Sequence, residues 1–152
     1  MKTIKNIFVA LSLLAATSAY ADEWALTTGF ASKHFNKEPN SKYRENNYGL
    51  GLDYRLNDTW SLSTGYYRNS ENRDGYYVTS SWTPWKEDLG SGWNFRFGIV
   101  GGVIAGYSDI LIKPIVTPLI VFDNKNFIIR VTGYPPIDNK TGLIAVQFGI
   151  KL

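Results

Sequence analysis

Eight stretches of alternating side chains, parted by turn residues, constrain this chain more than any other feature. They run near Trp24–His34, Tyr48–Leu56, Trp60–Asn69, Tyr76–Trp82, Trp93–Ala105, Ile112–Phe122, Phe127–Tyr134 and Leu143–Leu152. A period of two sends successive side chains to opposite faces of a strand. In the last stretch Ile144, Val146, Phe148, Ile150 and Leu152 oppose Leu143, Ala145, Gln147, Gly149 and Lys151. In the second, Tyr48, Leu50, Leu52, Tyr54 and Leu56 oppose Gly49, Gly51, Asp53 and Arg55, and in the third Trp60, Leu62, Thr64 and Tyr66 oppose Ser61, Ser63, Gly65 and Tyr67. No segment carries helical periodicity of any length, so the chain is all-β.

Which face looks inward decides the class. In a soluble barrel the apolar face fills the core; in an outer-membrane barrel it meets lipid, with aromatics at the two water interfaces. The faces opposite the apolar ones carry glycine, serine, aspartate and arginine, a poor dry core and a reasonable barrel lumen. Aromatics reach 15% while charged residues stop at 19%, and strands of 9–11 residues suit a tilted crossing. At the N-terminus, Met1–Lys5 is basic, Ile7–Ala16 is apolar, and Ala19-Tyr20-Ala21 is a small-x-small cleavage site. That is the layout of a secretory signal peptide, and its apolar run is too short to span a membrane. The expectation is a signal peptide over 1–21 and an eight-stranded antiparallel transmembrane β-barrel over 22–152, placed in the bacterial outer membrane. Lys2 and Lys5 belong to the leader and supply most of the net charge of +3. The basic balance therefore gives no reason to expect nucleic acid.

With both termini in the periplasm, odd strands run outward. The turns Asn57–Thr59 and Asp123–Asn126 are then periplasmic and short, whereas Phe35–Asn47, Ser70–Gly75, Gly106–Leu111 and Pro135–Gly142 lie outside. Thr83–Gly92 reads as a periplasmic connection longer than this scheme predicts. Trp24, Trp60, Tyr66, Tyr76, Trp82 and Trp93 fall near strand ends, as interfacial girdles would.

The chain has no cysteine and a single histidine, His34. This excludes disulfides, thiolate metal sites and a multi-histidine centre, and neither cofactor nor metal is expected. His34 ends strand one and Asn69-Ser70 ends strand three, so all three reach the same outer rim. A serine hydroxyl is a weak nucleophile until a base lies within hydrogen-bond reach, and imidazole is the usual base. Asn69 is available to orient the ring.

The residues resemble the PagP family, outer-membrane acyltransferases that move palmitate from a phospholipid to lipid A. The resemblance runs from about His34 to the C-terminus. His34 matches the family's essential histidine, Tyr43-Arg44-Glu45-Asn46 its Tyr-Asn-Glu segment, Asn69-Ser70 its Asp-Ser pair, and Trp82-Thr83-Pro84 its Trp-x-Pro. Phe97–Val103 resembles its glycine-rich fifth strand, Pro114–Leu119 its Pro-x-x-x-Pro-Leu, and Tyr134-Pro135-Pro136 its Tyr-x-Pro. The resemblance implies that Ser70 and His34 act on the ester and that Gly49, Gly51, Ser61, Ser63 and Gly65 leave room for an acyl chain. It also implies a lateral gate at Pro114, Pro118, Pro135 and Pro136, because proline cannot donate to a sheet ladder. Phospholipid donor and lipid A acceptor would be the partners of a monomer.

Three departures stand out. Asn69 replaces an aspartate and cannot stabilise imidazolium by charge; in the serine-protease template such a change costs ~10⁴ in turnover. Glu45, Glu71 and Asp74 are the rim carboxylates that could substitute. The family's helix ahead of strand one has no room here. Where the family measures acyl length on strand four, this chain reads Tyr76-Tyr77-Val78-Thr79, and an inward tyrosine there fills the pocket. The competing reading is a non-catalytic barrel, structural, adhesive or a repurposed relative, with a side-chain-filled interior. A lipocalin-like periplasmic binder and a lipid A deacylase are further alternatives. An empty apolar cavity in the outer half of the barrel favours the enzyme, and a packed charged network there favours the structural barrel.

Overall fold

The computed structural model describes residues 23–35, 43–108, 111–135 and 142–152. The expected signal peptide and Pro136 lie outside the described residues. Eight strands follow in order: β1 (Trp24–Phe35), β2 (Asn46–Arg55), β3 (Trp60–Arg68), β4 (Asp74–Gly90), β5 (Trp93–Ala105), β6 (Ile112–Asp123), β7 (Phe127–Tyr134) and β8 (Gly142–Lys151). Each pairs antiparallel with its sequence neighbours, and β1 closes on β8. The sheet therefore has no free pair of end strands. The chain is a closed eight-stranded antiparallel transmembrane β-barrel.

The alternation read from the sequence sets the direction of the side chains, and the barrel is inside-out. Thr27, Asp53, Ser63, Arg96, Asp123, Arg130 and Gln147 are buried in the lumen. Val116, Val78 and Leu50 stand 74%, 60% and 59% exposed on the outer wall, in company with Leu62, Ile99, Phe97 and Ile150. A water-soluble barrel would reverse these faces; a lipid-facing wall requires this arrangement. The buried apolar cluster is small, comprising Ala25, Val100, Leu119, Val121 and Ile128.

Aromatic side chains mark both ends of the wall. At the end carrying Glu23 and Leu152, Trp24 packs on Tyr54 and Trp60 on Trp82, at 4.6 and 6.3 Å between ring centroids. Near the opposite rim Tyr66 meets Tyr76 at 5.6 Å. Asparagine shapes the short turns: Asn57 Oδ1 accepts from the Thr59 and Trp60 backbone N–H groups, and Asn124 Oδ1 from those of Asn126 and Phe127. These are Asx turns.

The stretch Thr83–Gly92, expected as a long connection, instead continues β4. Trp85–Gly90 pairs with Trp93–Phe97 beyond a register shift after Trp82. The hairpin closes on Ser91 and Gly92, with φ of 52° and 77°. Two central residues at positive φ match the twist of paired strands. Proline at 84 sits at the shift, so its missing N–H costs no ladder bond. The extension of β4 has no partner on its β3 side, where that ladder ends at Trp60–Trp82, whereas Asn94–Phe97 of β5 stays paired with Ile120–Asp123 of β6.

Candidate functional site

His34 is the residue before the last of β1, its side chain is buried in the rim, and its imidazole stacks on the Tyr43 ring, 4.7 Å between centroids and 18° from parallel. The segment that carries Tyr43 leads into β2. It is laid between β1 and the β3–β4 turn: Ser32 N donates to Glu45 O at 2.7 Å, and Arg44 N donates to Ser70 O at 2.9 Å. His34 and Ser70 thus stand on chains separated by one intervening strand, about 10 Å at the backbone for two strand spacings. Both side chains are buried, yet no hydrogen bond joins His34 to Ser70 or Asn69 among the described residues.

Asn69 is placed as a loop clamp instead of a ring orienter. Its Oδ1 accepts from Glu71 N (3.0 Å) and Arg73 N (2.9 Å), and its Nδ2 donates to Gly106 O (2.8 Å). The amide ties the β3–β4 turn to the end of β5 and is fully buried. An aspartate could take the two backbone donors, but ionised it has nothing to offer the Gly106 carbonyl. Asparagine at this position therefore has a local physical reason. The neighbouring carboxylates are engaged as well. Glu71 accepts from Ser108 N, Glu45 pairs with Lys33, and Asp74 takes the Tyr66 hydroxyl and the Arg68 guanidinium. Asp74 stands above the Tyr66–Tyr76 aromatic pair, outside the span. The Tyr66 hydrogen bond, followed by that from Arg68, holds its carboxyl below the ordinary carboxylate range.

Below the rim the lumen is filled. Phe30 points inward after a dislocation of β1 and meets Tyr67 and Tyr77 edge-on, at 5.4 and 5.5 Å. Gly51 and Gly65 do not leave room for a chain, because Tyr77 occupies that room. A Cβ at Gly51 would stand 2.1 Å from the Tyr77 hydroxyl, and one at Gly65 2.7 Å from its ring. At Gly49 it is the neighbouring strand that leaves no room, with the Tyr66 carbonyl oxygen 2.1 Å and the Tyr67 Cα 2.6 Å from where a Cβ would be. Ser61 and Ser63 accept from Arg130, at 2.9 and 2.5 Å, and Arg130 also pairs with Asp53. The Tyr77 hydroxyl meets Gln147 Nε2 at 3.1 Å. Nearest the terminal end, Asp123 gathers Arg96 (3.0 Å), Lys151 (2.5 Å) and Arg55 (3.4 Å). A cavity among Arg55, Asp58, Ser61, Arg96 and Arg130 amounts to about 10 Å³, room for one water at most.

The proline-bearing strands leave a seam. The β6–β7 ladder runs from Asp123↔Ile128 to Leu119↔Thr132 and stops, although β6 continues to Ile112 against β5 and β7 to Tyr134 against β8. Thr132 Oγ1 donates to Pro118 O at 2.9 Å and lies 2.5 Å from Thr117 Oγ1, closing the foot of the seam. Pro114 and Pro118 lie on β6 at and above that foot, and Pro135 follows the last residue of β7.

The sequence reading missed the luminal charge network. Its signal was present: Asp53, Arg55, Arg96, Arg130 and Lys151 all fall on the polar face of their strands. What could not be read was which acid meets which base across the barrel, as Arg130 and Ser63 are 67 residues apart in the chain.

No family model and no curated protein matches the chain. Solved structures do. A de novo designed transmembrane β-barrel superposes with a TM-score of 0.57 at 12% identity, covering 87% of this chain and 97% of the design. Neisserial surface protein A gives 0.51 at 12% identity, covering 87% and 98%. These likenesses are to the fold. Ail, the attachment invasion locus protein of Yersinia pestis, matches at 18% identity with a TM-score of 0.39, too loose a superposition to enter the argument.

Proposed function

We propose that this protein is a non-catalytic small barrel of the bacterial outer membrane, a repurposed relative of PagP-like acyltransferases that acts through its outer rim. The observation that carries the reading is the occupied lumen. Tyr77, with Phe30 and Tyr67 beside it, fills the space above Gly51 and Gly65, and the Asp53–Arg130 and Asp123–Arg96 networks occupy the half nearer the termini. An acyl chain entering this lumen would have to displace hydrogen-bonded ion pairs, and breaking a buried pair costs about 3–5 kcal/mol. The lipid-facing wall and the expected leader support the outer-membrane placement.

One observation favours a second reading, acyl transfer from phospholipid to lipid A by Ser70 and His34. The β6–β7 seam with Pro114, Pro118 and Pro135 is the kind of lateral gate through which a lipid could reach the rim. Mass spectrometry of lipid A from cells making the wild type, His34→Ala, Ser70→Ala and Asn69→Asp separates the two. The non-catalytic reading expects unchanged lipid A in all four strains. A heavier acylated species in the wild type that disappears with His34→Ala would overturn it. Acylation appearing only with Asn69→Asp would mark a site whose chemistry was lost with the carboxylate.

A further inference from the structure

The outer wall is dented where β1 loses register with both neighbours. Thr28 pairs with Leu50 and Phe30 with Asn47, while on the other side Thr27 pairs with Gly149 and Phe30 with Gln147. Gly29 sits at the dislocation with the Asn47 carbonyl oxygen 1.9 Å from where a Cβ would be, so backbone replaces side chain there. Thr28 stitches the break by donating to Gly29 O at 2.8 Å and accepting from Phe148 N at 3.3 Å. Such repair is required where the wall meets hydrocarbon. The dent is a groove of about 430 Å³, bordered on its lipid side by Ala31, Tyr48, Val146 and Phe148.

A cation stands at the head of this groove. The Arg44 guanidinium lies 4.7 Å from the centre of the Tyr48 ring. Its Nε donates to Asn46 O, and its Nη1 donates to Asn72 Oδ1 at 2.8 Å. These acceptors are neutral, and no carboxylate among the described residues pairs with Arg44. An apolar slot in the half of the wall nearest the rim thus ends under an oriented guanidinium whose acceptors among the described residues are neutral.

We infer that the β8–β1–β2 groove is a binding site for one phosphate-bearing lipid of the outer leaflet, its acyl chain in the slot and its phosphate on Arg44. Charge complementarity selects the occupant: a hydrocarbon chain alone would not need the cation, and free phosphate would not need the groove. The planar guanidinium suits a phosphate oxygen pair. The inference rests on the outer-membrane placement and not on what the lumen does. Acylation of lipid A would overturn the non-catalytic reading and leave this one untouched.

The test is native mass spectrometry of the refolded chain in a neutral detergent, titrated with dimyristoyl phosphatidylglycerol. One retained lipid per chain is expected. Arg44→Gln should weaken it about tenfold, the size of one charge-assisted hydrogen bond, and Ala31→Trp should fill the slot and remove the adduct. Val78→Trp, on the wall but away from the groove, should bind like wild type, and inorganic phosphate should not compete. Circular dichroism checks that each variant forms sheet, and Val146→Trp replaces Ala31→Trp if the latter fails to fold. Wild-type affinity in Arg44→Gln, or retention of the adduct in the groove-filling variant, overturns the inference. So does displacement by inorganic phosphate, or a dimer mass showing that a second copy covers the groove.

Discussion

Replacing Tyr77 by alanine tests whether the lumen is a packed core or a lined passage. The ring is 5% exposed, meets Phe30 edge-on, and roofs Gly51 and Gly65. Removing a large buried aromatic costs about 3–5 kcal/mol when the surroundings cannot collapse. Collapse is opposed here, because β4 is held in register with both β3 and β5 at Tyr77, opposite Gly65 and Ile104. The lost hydroxyl adds little, since Gln147 Nε2 keeps the Thr28 carbonyl at 2.8 Å; Tyr77→Phe alone should cost about 1 kcal/mol. Tyr77→Ala should therefore lose about 4 kcal/mol, a factor of roughly 10³ in the unfolding equilibrium. Urea unfolding in lipid vesicles, followed by tryptophan fluorescence, reads the difference from the shift in midpoint at constant slope. If Tyr77→Ala falls within about 1 kcal/mol of Tyr77→Phe, the ring is not a filling residue and the argument against a luminal acyl chain fails.

Other expectations follow from the same contacts. Asp123→Asn leaves Arg96, Lys151 and Arg55 without their shared carboxylate and should cost about 3–5 kcal/mol in the same unfolding assay, with Lys151→Met restoring part of the loss. Asn69→Ala orphans the Glu71 and Arg73 backbone donors, so limited trypsin digestion should cut the β3–β4 turn faster than in the wild type. Asp74, with a folded pKa below its unfolded value, contributes stability that is present above the ordinary carboxylate range and lost as pH falls through the folded value. An NMR titration of its carboxyl should show a midpoint below that of an ordinary aspartate, and Arg68→Gln should raise it.

The strands were legible because period-two alternation survives in every one of them, and the lipid-facing direction followed from the polarity of the opposite face. The continuation of β4 over Trp85–Gly90 was not. Charged and apolar residues lie exposed on both faces there, so the alternation that marks a half-buried strand is absent, and Pro84 imitates a break. At the rim, His34, Asn69 and Ser70 were rightly placed at one end of the barrel, but sequence spacing gives strand ends and not side-chain partners. The Asn69 amide turns to backbone two strands further along the chain, at Gly106. The strand-four tyrosines stood out in the sequence, and the shared burial of Tyr77, Thr79 and Ser81 identifies Tyr77 as the one that turns inward.

The β4–β5 hairpin has a consequence for how the barrel sits. The outward Trp60–Trp82 pair sets the lower edge of the hydrophobic belt, and the hairpin continues past it on one side only, carrying Trp85 and Leu89 at 60% and 57% exposure. Indole rings favour the headgroup layer, and uneven hydrophobic height costs a fraction of a kcal/mol per Å of mismatch. On its β4 side the wall therefore carries apolar and aromatic surface beyond the girdle, whereas on the β3 side it ends at Trp60.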